Sequence, residues 1–363
     1  MRALVTGANG LIGANLVREL LGRSVDVRGL VRAGSDLGAL AGLELELCRA
    51  DLAEEPERVI AAARGCDLIF HTAVQFSYDP ARHAALEAAA IRGTEHLLRA
   101  AHAAGAGRVV LTSSSIVLGY TLDATVLDEG ASAPDDADES GYVRAKIRQD
   151  RLARELATAL GLDLVIVCPT VSVGPYGSRL GPSNGHILAY LEDALRLTYP
   201  GGCNVVSTVD VARGHWLAAR AGAPGQRYIL GAENLAWRDF HALVAELAGV
   251  PPPRAELNHT LGWLAAGAEE LRARLTGRPP LTHRSQAAMI GRWYWYDHGR
   301  AFGLGWRPRP ARQAIAEALS WLVASPHVSR ELRAGLRLHD DVYAARYPGG
   351  AAFPPPSAAP EPR

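Results

Sequence analysis

No run of this sequence approaches the roughly 20 consecutive apolar residues needed to cross a bilayer, so no integral membrane segment is expected. Net charge is missing as well: Lys and Arg together number 38, as do Asp and Glu. A balanced chain gives no reason to expect nucleic acid or an anionic surface as partner. Cysteine is scarce: Cys48, Cys66, Cys168 and Cys203 form no CxxC pair and have no accompanying histidine cluster. That excludes the usual zinc and dithiol frameworks, and no metal site is expected. Cys48 and Cys168 end apolar, strand-like runs, where a reduced thiol acts as a small hydrophobe. The opening MRALVTGANG is too short and too glycine-rich for a signal peptide, and the cytoplasm is the expected location. No internal repeat is visible.

What is present is an ordinary globular composition, 48% apolar and 21% charged over 363 residues, enough for one large or two moderate domains. Met1–Thr6, Val25–Val31, Leu43–Cys48, Asp67–Thr72, Arg108–Thr112 and Asp163–Val167 read as strands, with helices such as Ala14–Leu21 and Arg82–Ala104 between them. That alternation predicts an α/β fold of the Rossmann type, a doubly wound parallel sheet of about seven strands covered on both faces. After Pro169 the pattern turns mainly helical, at Ile187–Leu197, Trp237–Ala248, Thr260–Leu275 and Ala311–Val323. Thr208–Ala221 and the strand Gln226–Leu230 return to the first unit. The expected division is a dinucleotide-binding domain over 1–169 plus 207–231 and a smaller, mainly helical substrate domain over 170–206 plus 232–325. A helical extension over 326–348 and a disordered tail over 349–363, rich in proline and small residues, complete it. Thr260–Leu275 reads as a core-packing helix. The competing reading, a peripheral membrane contact, would suit a lipid substrate.

Gly7, Gly10 and Gly13 stand in TGANGLIG, between the first strand and the first helix. Glycines there let backbone approach a pyrophosphate, and the helix N-terminus offers it free N–H groups. The second strand ends Leu30-Val31-Arg32, without the acid that would bond a ribose 2′-hydroxyl. Arg32 could instead pair with a 2′-phosphate, which favours NADP(H) over NAD(H).

Tyr142 and Lys146 lie four residues apart in YVRAK and share one helix face. The cation favours phenolate and is expected to draw the tyrosine pKa down toward the working range. Such a phenol can protonate a carbonyl as hydride arrives, or deprotonate an alcohol in reverse. Thr112-Ser113-Ser114-Ser115 ends the fifth strand, at the edge where parallel-sheet enzymes bind ligands.

With these motifs in this order, the chain resembles the extended short-chain dehydrogenase/reductases, the NAD-dependent epimerase/dehydratase superfamily, over about residues 1–325. TGANGLIG, Asp51-Leu52, His71-Thr-Ala73, Gly93-Thr94, TSSS, YVRAK, PTVSVGP and TVDVARGH carry the likeness. The resemblance implies Ser114, Tyr142 and Lys146 as catalytic residues. It implies cofactor contacts from Gly7, Asn9, Gly10, Leu11, Ile12, Gly13 and Arg32, from Asp51 and Leu52 around the adenine, and from Thr72, Ala73 and Val74. Thr112, Tyr142, Lys146, Pro169 and Val171 complete that implied set, the last two near the nicotinamide amide. It also implies a homodimer through two long helices. RYILGAENL and LGWRPRPARQAIAEAL resemble the hopanoid-associated sugar epimerase group, close to dihydroflavonol reductases and 3β-hydroxysteroid dehydrogenases. Two positions depart from the pattern. Ala90 stands where many relatives have asparagine. Cys203 stands where nucleotide-sugar epimerases carry an arginine for the diphosphate, a group Arg179 or Arg213 would have to replace.

The expected activity is reversible hydride transfer between NADP(H) and a carbonyl or alcohol on a mainly apolar small molecule, isoprenoid, sterol or polyketide-like. Gln75, Ser115 and Tyr176 are candidate substrate residues. The alternatives are a sugar or nucleotide-sugar epimerase acting by transient oxidation, and a non-catalytic NADP sensor. Cys203 weighs against the first of these, and the intact Tyr142–Lys146 pair against the second.

Overall fold

The computed structural model describes residues 1–74, 80–134, 141–276 and 284–345. The candidate residue Gln75 and the proline-rich tail lie outside them.

Strand β1 (Arg2–Thr6) is apolar because it is central in its sheet and buried on both faces. The glycine turn leads into α1 (Leu11–Gly22), followed by β2 (Asp26–Val31), β3 (Glu46–Arg49), α2 (Pro56–Ala63) and β4 (Leu68–His71). Then come α3 (His83–Ala104), β5 (Arg108–Thr112), α4 (Gly141–Leu160) and β6 (Leu164–Pro169). The remainder begins with β7 (Val171–Val173), α5 (Pro182–Glu192), β8 (Leu197–Thr198), β9 (Gly202–Ser207), α6 (Thr208–Ala221) and β10 (Arg227–Leu230). It continues with β11 (Glu233–Ala236), α7 (Trp237–Ala248), β12 (Ala255–Glu256), α8 (His259–Thr276), α9 (Arg284–Ala287) and β13 (Trp293–Tyr294). Helices α10 (Gly299–Gly303), α11 (Ala311–Ala324), α12 (Arg330–Gly335) and α13 (Asp340–Ala344) end the described chain.

Seven parallel strands form the main sheet in the order β10-β6-β5-β4-β1-β2-β3. Chain direction across the sheet reverses between β1 and β4, so the crevice beyond their carboxyl ends is the place for a ligand. One face is covered by α1 and α6, where Leu16, Leu20, Val211 and Trp306 are buried. On the other face α2, α3 and α4 bury Val59, Leu97, Leu98 and Ala153.

The second region is helical, as expected, and it also carries a sheet the sequence pattern hid. Strand β9 pairs with β7, β11 and β13. All six residues of β9, GCNVVS, are buried, so it shows no polar–apolar alternation to read. Arg309 joins this region to the Rossmann body. Its guanidinium meets Asp210 on α6 at 3.3 Å and pairs with Glu317 on α11, and its backbone N–H donates to Asp210 Oδ2 at 2.8 Å.

Helix α8 departs from expectation. Only Gly262 and Ala266 are buried, and Leu261, Leu264, Leu271 and Leu275 face solvent, so it is not a core-packing helix. Within the expected helical extension, the described residues up to 345 hold two short helices, α12 and α13. It docks on the second region, with Arg312 bonding Asp341 at 2.6 Å and Arg337 N–H donating to Ala248 O at 2.9 Å.

Candidate active site

The glycine turn is shaped for close backbone approach. Gly7 has φ of +65°, and a Cβ there would lie 2.8 Å from Ala73 Cα. A Cβ on Gly13 would lie 2.2 Å from Gly7 O, so only glycine lets α1 start against the turn. No side chain caps α1, which leaves its first N–H groups for a ligand, and the cradle fits a dinucleotide pyrophosphate. Gly13→Ala is therefore expected to cost about 1–3 kcal/mol of stability by overpacking and to abolish dinucleotide binding. A thermal melt and a fluorescence titration with NADPH check both parts.

Around the turn, Asn9 Nδ2 donates to Asp36 O at 2.9 Å, tying it to the loop after β2 where Arg32 lies exposed. Thr72 donates to Thr6 O at 2.6 Å, Ala73 N–H meets the Thr6 hydroxyl at 3.3 Å, and Val74 is exposed. Leu11 and Ile12 open α1, half-buried beside the turn. Asp51 accepts from Ala53 N–H at 2.9 Å, and Leu52 packs under α3, where Gly93 has no room for a side chain: its Cβ would come 3.1 Å from Leu52 Cβ.

At the other end of the crevice, Ser114 caps a short 3₁₀ turn, Ser115–Leu118, and its hydroxyl lies near the Tyr142 phenol. Lys146 is buried, with Nζ donating to Thr112 O at 3.0 Å and to Gln149 Oε1 at 3.0 Å. Burial pushes its ammonium down to about 8. The tyrosine moves against expectation. Burial raises its pKa, and the nearby Ser114 hydroxyl only partly offsets that. The ammonium is engaged by Thr112 and Gln149, so burial governs the phenol.

Thr112 supports the lysine through its backbone oxygen. Its hydroxyl is taken by His215 Nε2 at 2.8 Å, whose Nδ1–H donates to Val211 O at 2.7 Å. Burial holds His215 down to about 4, so the ring is neutral. Pro169 ends β6, and Val171 begins β7, paired with Val205. Ser115 is buried against the Tyr296 hydroxyl, which also donates to Gly119 O at 2.7 Å. Tyr176 sits apart, packed on α1 with the Arg18 guanidinium 3.5 Å from its ring centroid. Of the three candidate substrate residues, the structure thus places Ser115 against Tyr296 and Tyr176 beside α1. A mainly apolar cavity of about 580 Å³ is lined by Ile116, Leu118, Tyr120, Leu127, Val143 and Tyr294, among others. Ser114 and Tyr142 are not among its lining residues.

Cys203 is buried in β9, its thiol pushed up by burial, while Arg179 and Arg213 are exposed. His71, Thr94, Gln149, His215 and Tyr296 were not picked out individually by sequence reading, since each acts through partners distant in the chain. One signal was available in composition. Lys146 is the single lysine; the rest of the 38 basic residues are arginine. A compact ammonium with a movable pKa does what a planar guanidinium cannot.

Residues 3–231 match the NAD dependent epimerase/dehydratase family. The chain belongs to that family. This epimerase/dehydratase-family chain is 32% identical over 322 residues to a Synechocystis sp. protein named after dihydroflavonol 4-reductase, covering 87% of this chain and 93% of the relative. It is 31% identical over 324 residues to sterol demethylase protein B of Methylococcus capsulatus, covering 88% of this chain and 98% of that one. Among solved structures, gox2253 superposes with a TM-score of 0.79 at 31% identity, over 90% of this chain and 99% of that chain. Membership makes this an NAD(P)-dependent oxidoreductase-type enzyme. Among the described residues, no helix is long and apolar enough to cross a membrane, and no His/Cys/Asp/Glu group could hold a metal ion.

Proposed function

We propose that the chain is a reductase, or the reverse alcohol dehydrogenase, acting on a mainly apolar carbonyl compound with NADP(H). One observation carries the reading: the Tyr142 phenol lies near the Ser114 hydroxyl, on the helix that also presents the buried Lys146. When bound, the nicotinamide supplies or takes the hydride. Ser114 donates a hydrogen bond to the substrate oxygen, and Tyr142 delivers the proton to it or removes it in reverse. Lys146 holds positive charge beneath them. The residues implied as cofactor contacts would hold the dinucleotide between the glycine turn and this group.

The apolar cavity lined by Ile116, Leu118, Tyr120 and Val143 supports an apolar substrate, as does the buried thiol at Cys203, where a diphosphate would require a cation. A reductase consumes NADPH absorbance in step with carbonyl, whereas an epimerase leaves it unchanged; an unchanged signal alongside sugar isomerisation would reverse this reading. Exposed Arg32 supports the NADP(H) preference. Arg32→Ala is expected to weaken NADPH binding about tenfold, the scale of one charge-assisted contact, and to leave NADH binding nearly unaltered. Equal losses in paired titrations would remove Arg32 from the 2′-phosphate. The reading extends to a homodimer through α3 and α4, measurable by sedimentation.

A further inference from the structure

The side chains behind Lys146 form one hydrogen-bond chain that reaches the end of β1. Thr6 Oγ1 lies 2.9 Å from His71 Nδ1, and His71 Nε2 lies 3.0 Å from Thr94 Oγ1. Thr94 donates to Ala90 O at 2.8 Å and accepts from Gln149 Nε2 at 2.7 Å. Gln149 Oε1 then accepts from Lys146 Nζ at 3.0 Å. Thr6, His71, Thr94, Gln149 and Lys146 are all buried.

The direction of the Thr94–Gln149 bond follows from a proton count. A threonine hydroxyl has one proton. That of Thr94 goes to Ala90 O, so Thr94 Oγ1 accepts from Gln149 Nε2, an amide nitrogen that also lies 3.5 Å from His71 Nε2. Burial holding this ring down to about 3 agrees with a neutral imidazole. Gln149 is left with one orientation, its carbonyl oxygen toward the ammonium.

We propose that Gln149 is a positioning residue for Lys146, its locked amide oxygen fixing where the buried ammonium sits in the active site. The role rests on the reading of Lys146 as part of the catalytic group. A buried ammonium needs acceptors, and the two it has are Thr112 O and Gln149 Oε1. The other titratable groups facing it cannot take over. Asp150, on the same helix, is held by Ser113 Oγ at 3.0 Å and by Arg227 from β10 at 2.5 Å. From β6, Cys168 is a thiol pushed up to about 12. His71 from β4 is neutral, and Tyr142 on α4 keeps its proton, its pKa being raised.

The test uses the full chain and no carbonyl substrate, so it stands apart from the test of the proposed function. Because Lys146 is the only lysine, protein grown on lysine labelled with ¹³C at the ε-carbon gives one ε resonance, titrated by NMR. Gln149→Leu removes the acceptor and is expected to lower the titration midpoint by about one pH unit, the scale of one hydrogen bond to a charged group. Gln149→Glu puts a carboxylate in the same place and is expected to raise it by about as much. Thr94→Val unlocks the amide and is expected to give a smaller fall. Midpoints unmoved in Gln149→Leu and Gln149→Glu would overturn the proposal. Should the leucine variant fail to fold, the nearly isosteric glutamate variant decides alone.

Discussion

Tyr142→Phe is expected to lower turnover at least about 10²-fold while NADPH still binds, because the variant removes one oxygen and little else. General acid–base groups contribute roughly 10²–10⁴-fold. The phenylalanine ring keeps the packing of α4 against the 3₁₀ turn and loses the hydroxyl near Ser114. The cradle at Gly7 and Gly13 lies on other elements and is untouched. Stopped-flow reduction with NADPH, alongside a binding titration, separates the two effects. Full activity in the variant would remove Tyr142 from proton transfer, and loss of binding together with activity would make its role structural. The raised pKa of the phenol fits a proton donor in the reductive direction: below its pKa the group carries the proton it must give.

Arg309→Met should destabilise the fold by about 3–5 kcal/mol, the scale for removing one partner of a buried ion pair. Asp210 and Glu317 are fully buried, and Arg309 is the cation that meets both. Without it, two carboxyls remain in the interior between α6 and α11, held otherwise by the residue 309 backbone N–H, by Ser207 Oγ at 3.0 Å and by Gln313 Nε2 at 3.3 Å. Burial already holds both carboxyls above their ordinary range even with the arginine present. The folded chain therefore takes up protons there before the unfolded chain does. These two groups add stability as pH falls from neutral through the raised pKa values and lose it as pH rises. In the methionine variant that dependence should steepen and begin at higher pH. Denaturant unfolding at several pH values measures it; equal slopes in both proteins would show that the arginine does not govern these carboxyls.

Much of the Rossmann half was legible because its signals are local. Five of the seven main-sheet strands carry apolar runs, the alternating stretch 43–48 pointed to β3 although Glu46–Arg49 is mostly exposed, and β10 could be placed from the short run at 226–230. YVRAK and the glycine turn were legible for the same reason, since residues four apart on a helix, or flanking one turn, are neighbours by covalent geometry. The second region was harder. A fully buried strand such as β9 has no alternation, and α8 has apolar residues at helical spacing whether its leucines meet a core or solvent. Periodicity specifies a face without specifying what covers it.

The sequence by itself determined the family, the order of the main elements, the glycine turn and the Tyr142–Lys146 pair. Tertiary structure alone decided the state of that pair: which acceptors hold the ammonium, that burial raises the phenol pKa, and that Thr112 turns its hydroxyl to His215. The reason is physical. Hydrogen-bond partners such as Thr6, His71, Thr94 and Gln149 come from four separate elements, and desolvation depends on everything packed around a group, so neither is encoded by spacing along the chain.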